Sequence, residues 1–207
     1  LDPANTDAVA VIDAIDAALD ANDDEVLDLT CGSVPGIPCT TGRFSPTGNE
    51  PCLDCPAGTF QDQTGATSCT PCSPGFINTS PGSSACTPCL AGTFQDAPGQ
   101  TSCQPCAPGT ATAASGQNAC APCTAGTFAN AAGLTSCSGC APGYFTETTG
   151  EANCTACPPG RFADAAGSTT CQPCFAGTFA TGPAATGCTN CPAGTATSST
   201  GQASCQP

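Results

Sequence analysis

Cysteines spaced Cys-x-x-Cys are the residues of this chain best placed to do chemistry. Cys52 with Cys55 and Cys69 with Cys72 open a series that runs to Cys188 with Cys191. Thiolates at that spacing serve a tetrahedral zinc site, a redox disulfide that opens and closes, or a framework of permanent cross-links. Cys52, Cys55, Cys69 and Cys72 around one zinc ion would leave a net charge of about −2. A chain of net charge −14 with two Arg and no Lys has almost nothing to balance several such sites. A redox Cys-x-x-Cys belongs at a helix start in a βαβ unit, whereas these pairs lie between Pro-Gly turns. The 21 cysteines, about one residue in ten, therefore read as a disulfide scaffold that needs no metal or cofactor.

Other chemistries are poorly served. His and Lys are absent, and the acids of the cysteine-rich part, among them Asp54, Asp62, Asp96 and Asp164, are dispersed, so the chain does not read as an enzyme. Asp20, Asn22, Asp24 and Asp28 fall at positions 1, 3, 5 and 9 of a calcium-loop spacing. Glu25 stands where that loop turns on Gly, and Cys31 where it needs a bidentate Glu, so a solvated acidic linker is the better reading. The charge also argues against nucleic acid and anionic membranes as partners. No apolar run approaches the roughly 18 residues of a membrane span. Asn78-Thr79-Ser80 and Asn153-Cys154-Thr155 are acceptor sequons for N-linked sugar. Asn78 is expected at an open hairpin tip, while Asn153 sits beside a cysteine and is the poorer candidate. The 46 Ser and Thr offer further positions for O-linked sugar.

A repeat positions these cysteines. CPAGTFQDQTGATSCTP begins at Cys55 and restarts every 17 residues at Cys72, Cys89, Cys106, Cys123, Cys140, Cys157, Cys174 and Cys191; a copy one residue shorter begins at Cys39. In Cys106-Ala107-Pro108-Gly109 the Pro-Gly pair fits the centre of a type II turn, proline fixing φ and glycine allowing φ > 0. Thr-Phe then reads as a short strand, a second Gly as a loop tip (Gly65, Gly150), and Thr67-Ser68-Cys69 as the returning strand. The fold class that follows is small disulfide-rich β: tandem 17-residue disulfide-closed β-hairpin repeats in an elongated rod. Burying one Phe per repeat stabilises by only about 2 to 3 kcal/mol, far less than the entropy of ordering 17 residues opposes. Cross-links and stacking on neighbouring copies must supply the rest. Ala184 replaces the second glycine of one copy, whose tip is expected to differ. Ile77, Ala111 and Ala196 replace Phe, and those copies are expected to pack more loosely.

Residues 1–30 stand outside the repeat and hold nine of the 16 acids. Asp2 before Pro3, then Val9, Ile12, Ile15 and Leu19, predict a short N-terminal α-helix over 3–21. Its apolar stripe would cap the array or dock on another subunit. The domain reading is thus an acidic helix and linker over 1–30 and an array of ten repeats within 31–207, the first over 39–54. The start at Leu1 follows no signal-peptide pattern, and the register calls for a Cys after Pro207, so the chain reads as an excerpt of a longer protein.

Two disulfide ladders suit this register. In one, Cys39 joins Cys52, Cys55 joins Cys69, Cys72 joins Cys86, Cys89 joins Cys103, Cys106 joins Cys120, Cys123 joins Cys137, Cys140 joins Cys154, Cys157 joins Cys171, Cys174 joins Cys188 and Cys191 joins Cys205. Cys31 is then left unpaired or for an intersubunit bond. In the other, each Cys-x-x-Cys closes on itself, Cys31 joins Cys39, and Cys205 is left over. The first crosses each hairpin at its base and closes the longer loop, which constrains the unfolded chain more.

The units CPAGTFQDQTGATSC and CPPGRFADAAGSTTC resemble the ephrin-receptor-like cysteine-rich repeat and, more loosely, the hairpin module of tumour necrosis factor receptors. The resemblance covers residues 39–207. It implies an extracellular setting, hairpin disulfides as in the first ladder and a thin elongated array. The functional expectation is an extracellular structural protein, a rigid rod, stalk or filament subunit that self-associates through the N-terminal helix and Cys31. The alternative is a receptor or adhesin ectodomain that uses the repeats as a spacer. Strict periodicity without inserted loops favours the former.

Overall fold

The computed structural model describes residues 36–207, so the expected helix over 3–21 and Cys31 lie outside the described residues. Ile37–Pro207 form one compact unit of repeated two-stranded antiparallel hairpins. The first pairs β1 (Arg43–Phe44) with β2 (Leu53–Asp54), the second β3 (Thr59–Phe60) with β4 (Thr70–Pro71). The ninth pairs β17 (Thr178–Phe179) with β18 (Thr189–Asn190), and the last copy keeps a single bridge between Ala196 and Gln206. Register is constant: Thr59 faces Pro71 and Phe60 faces Thr70, as Thr93 faces Pro105 and Phe94 faces Gln104. Such short strands carry too little side-chain burial to persist alone.

Each hairpin starts from the turn that its sequence encodes. Thr59 N donates to Pro56 O at 3.1 Å, with Gly58 at the third turn position at φ 84°, where a side chain would be strained. The Thr59 hydroxyl donates to the same carbonyl at 2.7 Å, and Thr93, Thr110, Thr127, Thr178 and Thr195 repeat that bond. Threonine is thus chosen here for a turn contact as well as for strand propensity. At the far end of the hairpin Cys72 N donates to Gly58 O at 2.9 Å, tying the next repeat to the turn.

Stacking is carried by backbone. Between the repeats that begin at Cys55 and Cys72, Gly58 N donates to Asn78 O (2.8 Å), Gln61 N to Ser83 O (3.2 Å) and Gly82 N to Cys55 O (2.8 Å). The same three bonds recur at every junction from Gly42–Gln61 to Gly177–Thr197. A second neighbour also matters. A Cβ on Gly58 would lie 2.1 Å from the carbonyl oxygen of Gly99, which belongs to the repeat after next. Each hairpin is therefore built against the following two.

The core differs from one made of phenylalanine. The largest fully buried side chains among the described residues are Cys39, Cys55, Cys72, Cys89, Cys106, Cys123, Cys140, Cys157 and Cys174, the first cysteine of the first nine repeats, while Cys191 in the last copy and Phe60, Phe94, Phe128, Phe145, Phe162 and Phe179 are half-buried. Sulfur, free of polar atoms that need partners, fills the centre of the stack. Loose packing at Ala111 is accordingly not seen: Ala111 is buried and pairs with Ala121 in the common register. The expected change of tip at Ala184 is also corrected. Ala184 takes φ 57° and donates its N–H to Cys157 O at 2.9 Å, as the tip glycines do to their own partners. The inter-repeat bond holds alanine in the left-handed region that it would otherwise avoid.

Candidate functional site

Ten disulfides run along the described chain: Cys39–Cys52, Cys55–Cys69, Cys72–Cys86, Cys89–Cys103, Cys106–Cys120, Cys123–Cys137, Cys140–Cys154, Cys157–Cys171, Cys174–Cys188 and Cys191–Cys205. Their Cα–Cα distances of 5.6–5.8 Å fall in the usual range for a bridge. Each crosses the base of its own hairpin, and none joins the two cysteines of a Cys-x-x-Cys. Cys52, Cys55, Cys69 and Cys72 are thus oxidised rather than grouped as thiolates. Among the described residues no cluster of His, Cys, Asp and Glu could hold a metal ion. The two sulfurs of a bridge are not equivalent: Cys55 is fully buried, whereas Cys69 is half-exposed, and the same holds for Cys106 and Cys120.

The few charges serve local structure. Arg43 Nε donates to Asp54 Oδ1 at 2.9 Å across the first hairpin, with Glu50 Oε1 3.7 Å from Nη1. The three side chains are 39–59% exposed, so these solvent-screened pairs contribute at most about 1 kcal/mol. Arg43 Nη2 also donates to Cys52 O (2.9 Å) and Arg161 Nη1 to Cys171 O (3.1 Å). Both arginines replace the turn threonine and hold the carbonyl of the second cysteine of their repeat. That role was open to sequence reasoning, since both stand four residues after a repeat's first cysteine. Asp62, Asp96 and Asp164 are exposed and lie in different hairpins. Lying in separate hairpins, these three carboxylates do not converge for acid-base work.

A second buried column escaped the sequence. Among the described residues Ser45, Asn78, Gln95, Thr146 and Thr197 are the buried polar ones, and all occupy the sixth position after the first cysteine of their repeat. The side chains of Asn78, Thr146 and Thr197 reach the preceding repeat, whereas those of Ser45 and Gln95 bond within their own. Thr146 and Thr197 hydroxyls accept from Gly126 N (2.8 Å) and Gly177 N (2.7 Å), and Gln95 Nε2 donates to Ser102 O (2.7 Å). Asn78 Nδ2 donates to Thr59 O at 2.7 Å, and its Oδ1 accepts from Ser80 N (3.1 Å) and Ser83 Oγ (3.0 Å). Asn78 is 6% exposed, which corrects the expectation of an open tip. Asn153 is exposed, in a bend before β14 (Thr155–Ala156). Among the described residues no buried side-chain nitrogen or oxygen lacks a partner, so no polar group is left aimed at a ligand.

The surface of the described residues carries shallow, open depressions. One mainly apolar depression, of about 300 Å³, is lined by Phe128, Ser138, Gly139, Ala141, Tyr144 and Cys154. Leu53, Leu90 and Phe175 are exposed singly in separate hairpins. Scattered apolar residues of this kind are ordinary surface. Among the described residues no helix is long and apolar enough to cross a membrane.

The family model described as tyrosine-protein kinase ephrin type A/B receptor-like matches residues 42–85, 82–116, 109–151, 126–170 and 143–187. No curated protein matches the chain. Each match spans two repeats or more, in keeping with a hairpin whose bonds are completed by its successors.

Proposed function

This chain belongs to the ephrin type A/B receptor-like family of cysteine-rich repeats, and on that premise we propose that residues 39–207 act as a rigid extracellular rod: a stalk, spacer or filament subunit. Disulfide-dense repeats of this family are extracellular binding or structural modules, non-catalytic in kind. The observation that supports the structural reading is the constancy of the junctions. The same three backbone bonds join each repeat to the next, and each turn glycine from Gly42 to Gly160 lies against the second repeat on. Flexing one junction would break hydrogen bonds and open second-neighbour contacts together. Each hairpin is closed at its base by a disulfide, so a pull along the array would load covalent bonds and the junction bonds between them.

Residues 1–30 and Cys31 are the proposed joint between subunits, because they alone depart from the repeat. Electron microscopy of native, unreduced protein beside the same protein after disulfide cleavage tests the reading. Uniform rods or filaments that disappear on reduction, and that chelators leave intact, are expected. Compact particles before reduction would sink it. Filaments that survive deletion of residues 1–31 would move the joint elsewhere.

A binding reading has one observation in its favour. Phe128, Ala141 and Tyr144 line an apolar depression, and Tyr144 stands where most copies carry Thr. In that case Tyr144→Thr would abolish capture of the chain on a cell surface while leaving rods unchanged in micrographs.

A further inference from the structure

The two sequons fall on two columns of the repeat that the fold treats in opposite ways. Asn78 is in the sixth-position column, whose backbone makes the junction. Its N–H donates to Gln100 O (3.2 Å), its carbonyl accepts from Gly58 N (2.8 Å), and its side-chain amide is used on both atoms. Asn153 is in the thirteenth-position column, with Ser68, Ala85, Ser102, Ala119, Ser136, Thr170, Gly187 and Ser204 in the other 17-residue copies. Every member of that column is exposed. Among the described residues the Asn153 side chain makes no hydrogen bond, and Thr155, the hydroxyl residue of its sequon, is exposed as well.

We infer that Asn153 is the N-glycan acceptor of this protein and that Asn78, despite its sequon, is kept free by the fold. The donor is a lipid-pyrophosphate-linked oligosaccharide. In the transfer Asn153 Nδ2 forms a bond to the anomeric carbon, the carbon–oxygen bond to the lipid pyrophosphate breaks with its electron pair leaving on the pyrophosphate, and Nδ2 gives up one proton. The product projects from an exposed column, where the hairpins on either side keep their bonds. A sugar on Asn78 would remove one of the two Nδ2–H donors and place a bulky polar group beside the bond to Thr59 O. It would also force apart three consecutive repeats, those that begin at Cys55, Cys72 and Cys89. Molecules modified there would fail to complete the stack, so the folded population carries none. The inference concerns modification and is independent of the rod reading.

The test is site-resolved mapping of N-glycans on the full chain secreted from a eukaryotic host. Glycan removal by amidase in heavy-oxygen water marks each formerly occupied Asn. In the secreted, disulfide-complete fraction the mark is expected at Asn153 and not at Asn78, and Asn153→Gln should abolish the mass shift that amidase produces. Sugar on Asn78 in that fraction, or a bare Asn153, overturns the inference. Opening one hairpin separates protection by the fold from a poor sequon. With Cys72→Ser and Cys86→Ser together, total cell-associated protein should acquire sugar on Asn78. If Asn78 stays bare there, burial is not the reason and the assignment of the two columns fails.

Discussion

The turn and the tip of each hairpin both rest on a residue of positive φ, yet their surroundings differ. At the turn, a Cβ on Gly58, Gly75 or Gly109 would lie 2.0–2.2 Å from a carbonyl oxygen of the repeat after next. At the tip, a Cβ on Gly65, Gly99 or Gly133 would find its nearest neighbour at 3.6–3.7 Å, an ordinary contact. The backbone angles are alike, 84–87° in the first group and 70–77° in the second. Conformation alone would therefore ask for glycine equally at both. The second-neighbour contact sets the turn glycines from Gly42 to Gly160 apart from the tips, one of which holds Ala184, while Gly177 and Gly194, in the last two copies, meet nothing within 4 Å and keep glycine for the turn angle alone. The turn is an intermolecular-style interface folded back into one chain, and the tip is a local bend.

The largest effect should come from putting the same methyl group in both places. Gly109→Ala meets Gly150 O at 2.0 Å and must displace backbone, not a flexible side chain. Left-handed alanine costs about 1–2 kcal/mol and forced overpacking about 1–3 kcal/mol more. Gly133→Ala, with Pro105 Cβ at 3.7 Å, should bear the conformational part alone. A repeat array does not unfold as one two-state unit, so amide hydrogen exchange at each junction is the suitable measurement. Gly109→Ala is expected to expose the Gly109, Thr112 and Gly150 amides to exchange, while Gly133→Ala leaves neighbouring junctions protected. Equal loss in the two variants would break the distinction between turn and tip.

A smaller effect should follow from the turn's own hydroxyl. Thr59→Val removes the 2.7 Å bond to Pro56 O but leaves the backbone bond from Thr59 N to the same atom. The loss should be about 1 kcal/mol, confined to exchange in that hairpin, with Thr59→Ser retaining most of the protection. If valine also loosened the next repeats, the turn would be a lever on the stack in its own right, and the second-neighbour contact would no longer be needed to explain its glycine.

These contrasts mark what was legible in the sequence. The hairpin, its Pro-Gly or Ala-Gly turn and the Thr-Phe strand are local matters, set by a few adjacent residues, and the period of 17 announced the stacking. The cysteine register narrowed the bridges to two ladders. Less legible was everything decided between repeats. The sixth-position column reads Ser45, Gln61, Asn78, Gln95, Thr112 and Ala129, a series with no common side-chain chemistry. From Gln61 to Ala129 its constant feature is a backbone N–H and C=O bonded to neighbouring repeats, which no residue type records. The same blindness made Asn78 look like a tip and made Phe look like the buried residue of each repeat, when the first cysteine of the first nine repeats is the fully buried one.

Ala184→Gly is the smallest change and cuts in the opposite direction. Ala184 sits at φ 57° with its N–H on Cys157 O, and its own carbonyl lies where a Cβ on Gly143 would be, at 2.2 Å. At the matching tip glycines of the other 17-residue copies a Cβ would meet nothing closer than 3.4 Å, so alanine at this tip is expected to carry only the left-handed penalty of about 1–2 kcal/mol. Glycine would relieve that strain but would gain freedom in the unfolded chain, worth about 0.4–1 kcal/mol against it. The net should be a stabilisation of a few tenths to about 1 kcal/mol, read as slower exchange of the residue 184 amide with no change at Gly143. Destabilisation by glycine would mean that the alanine methyl contributes packing at this tip, and the tip would then be a contact surface like the turn. An unchanged Gly143 amide is the more informative half of the result, because it separates strain within one bend from the carbonyl contact that the bend offers to the repeat two before it.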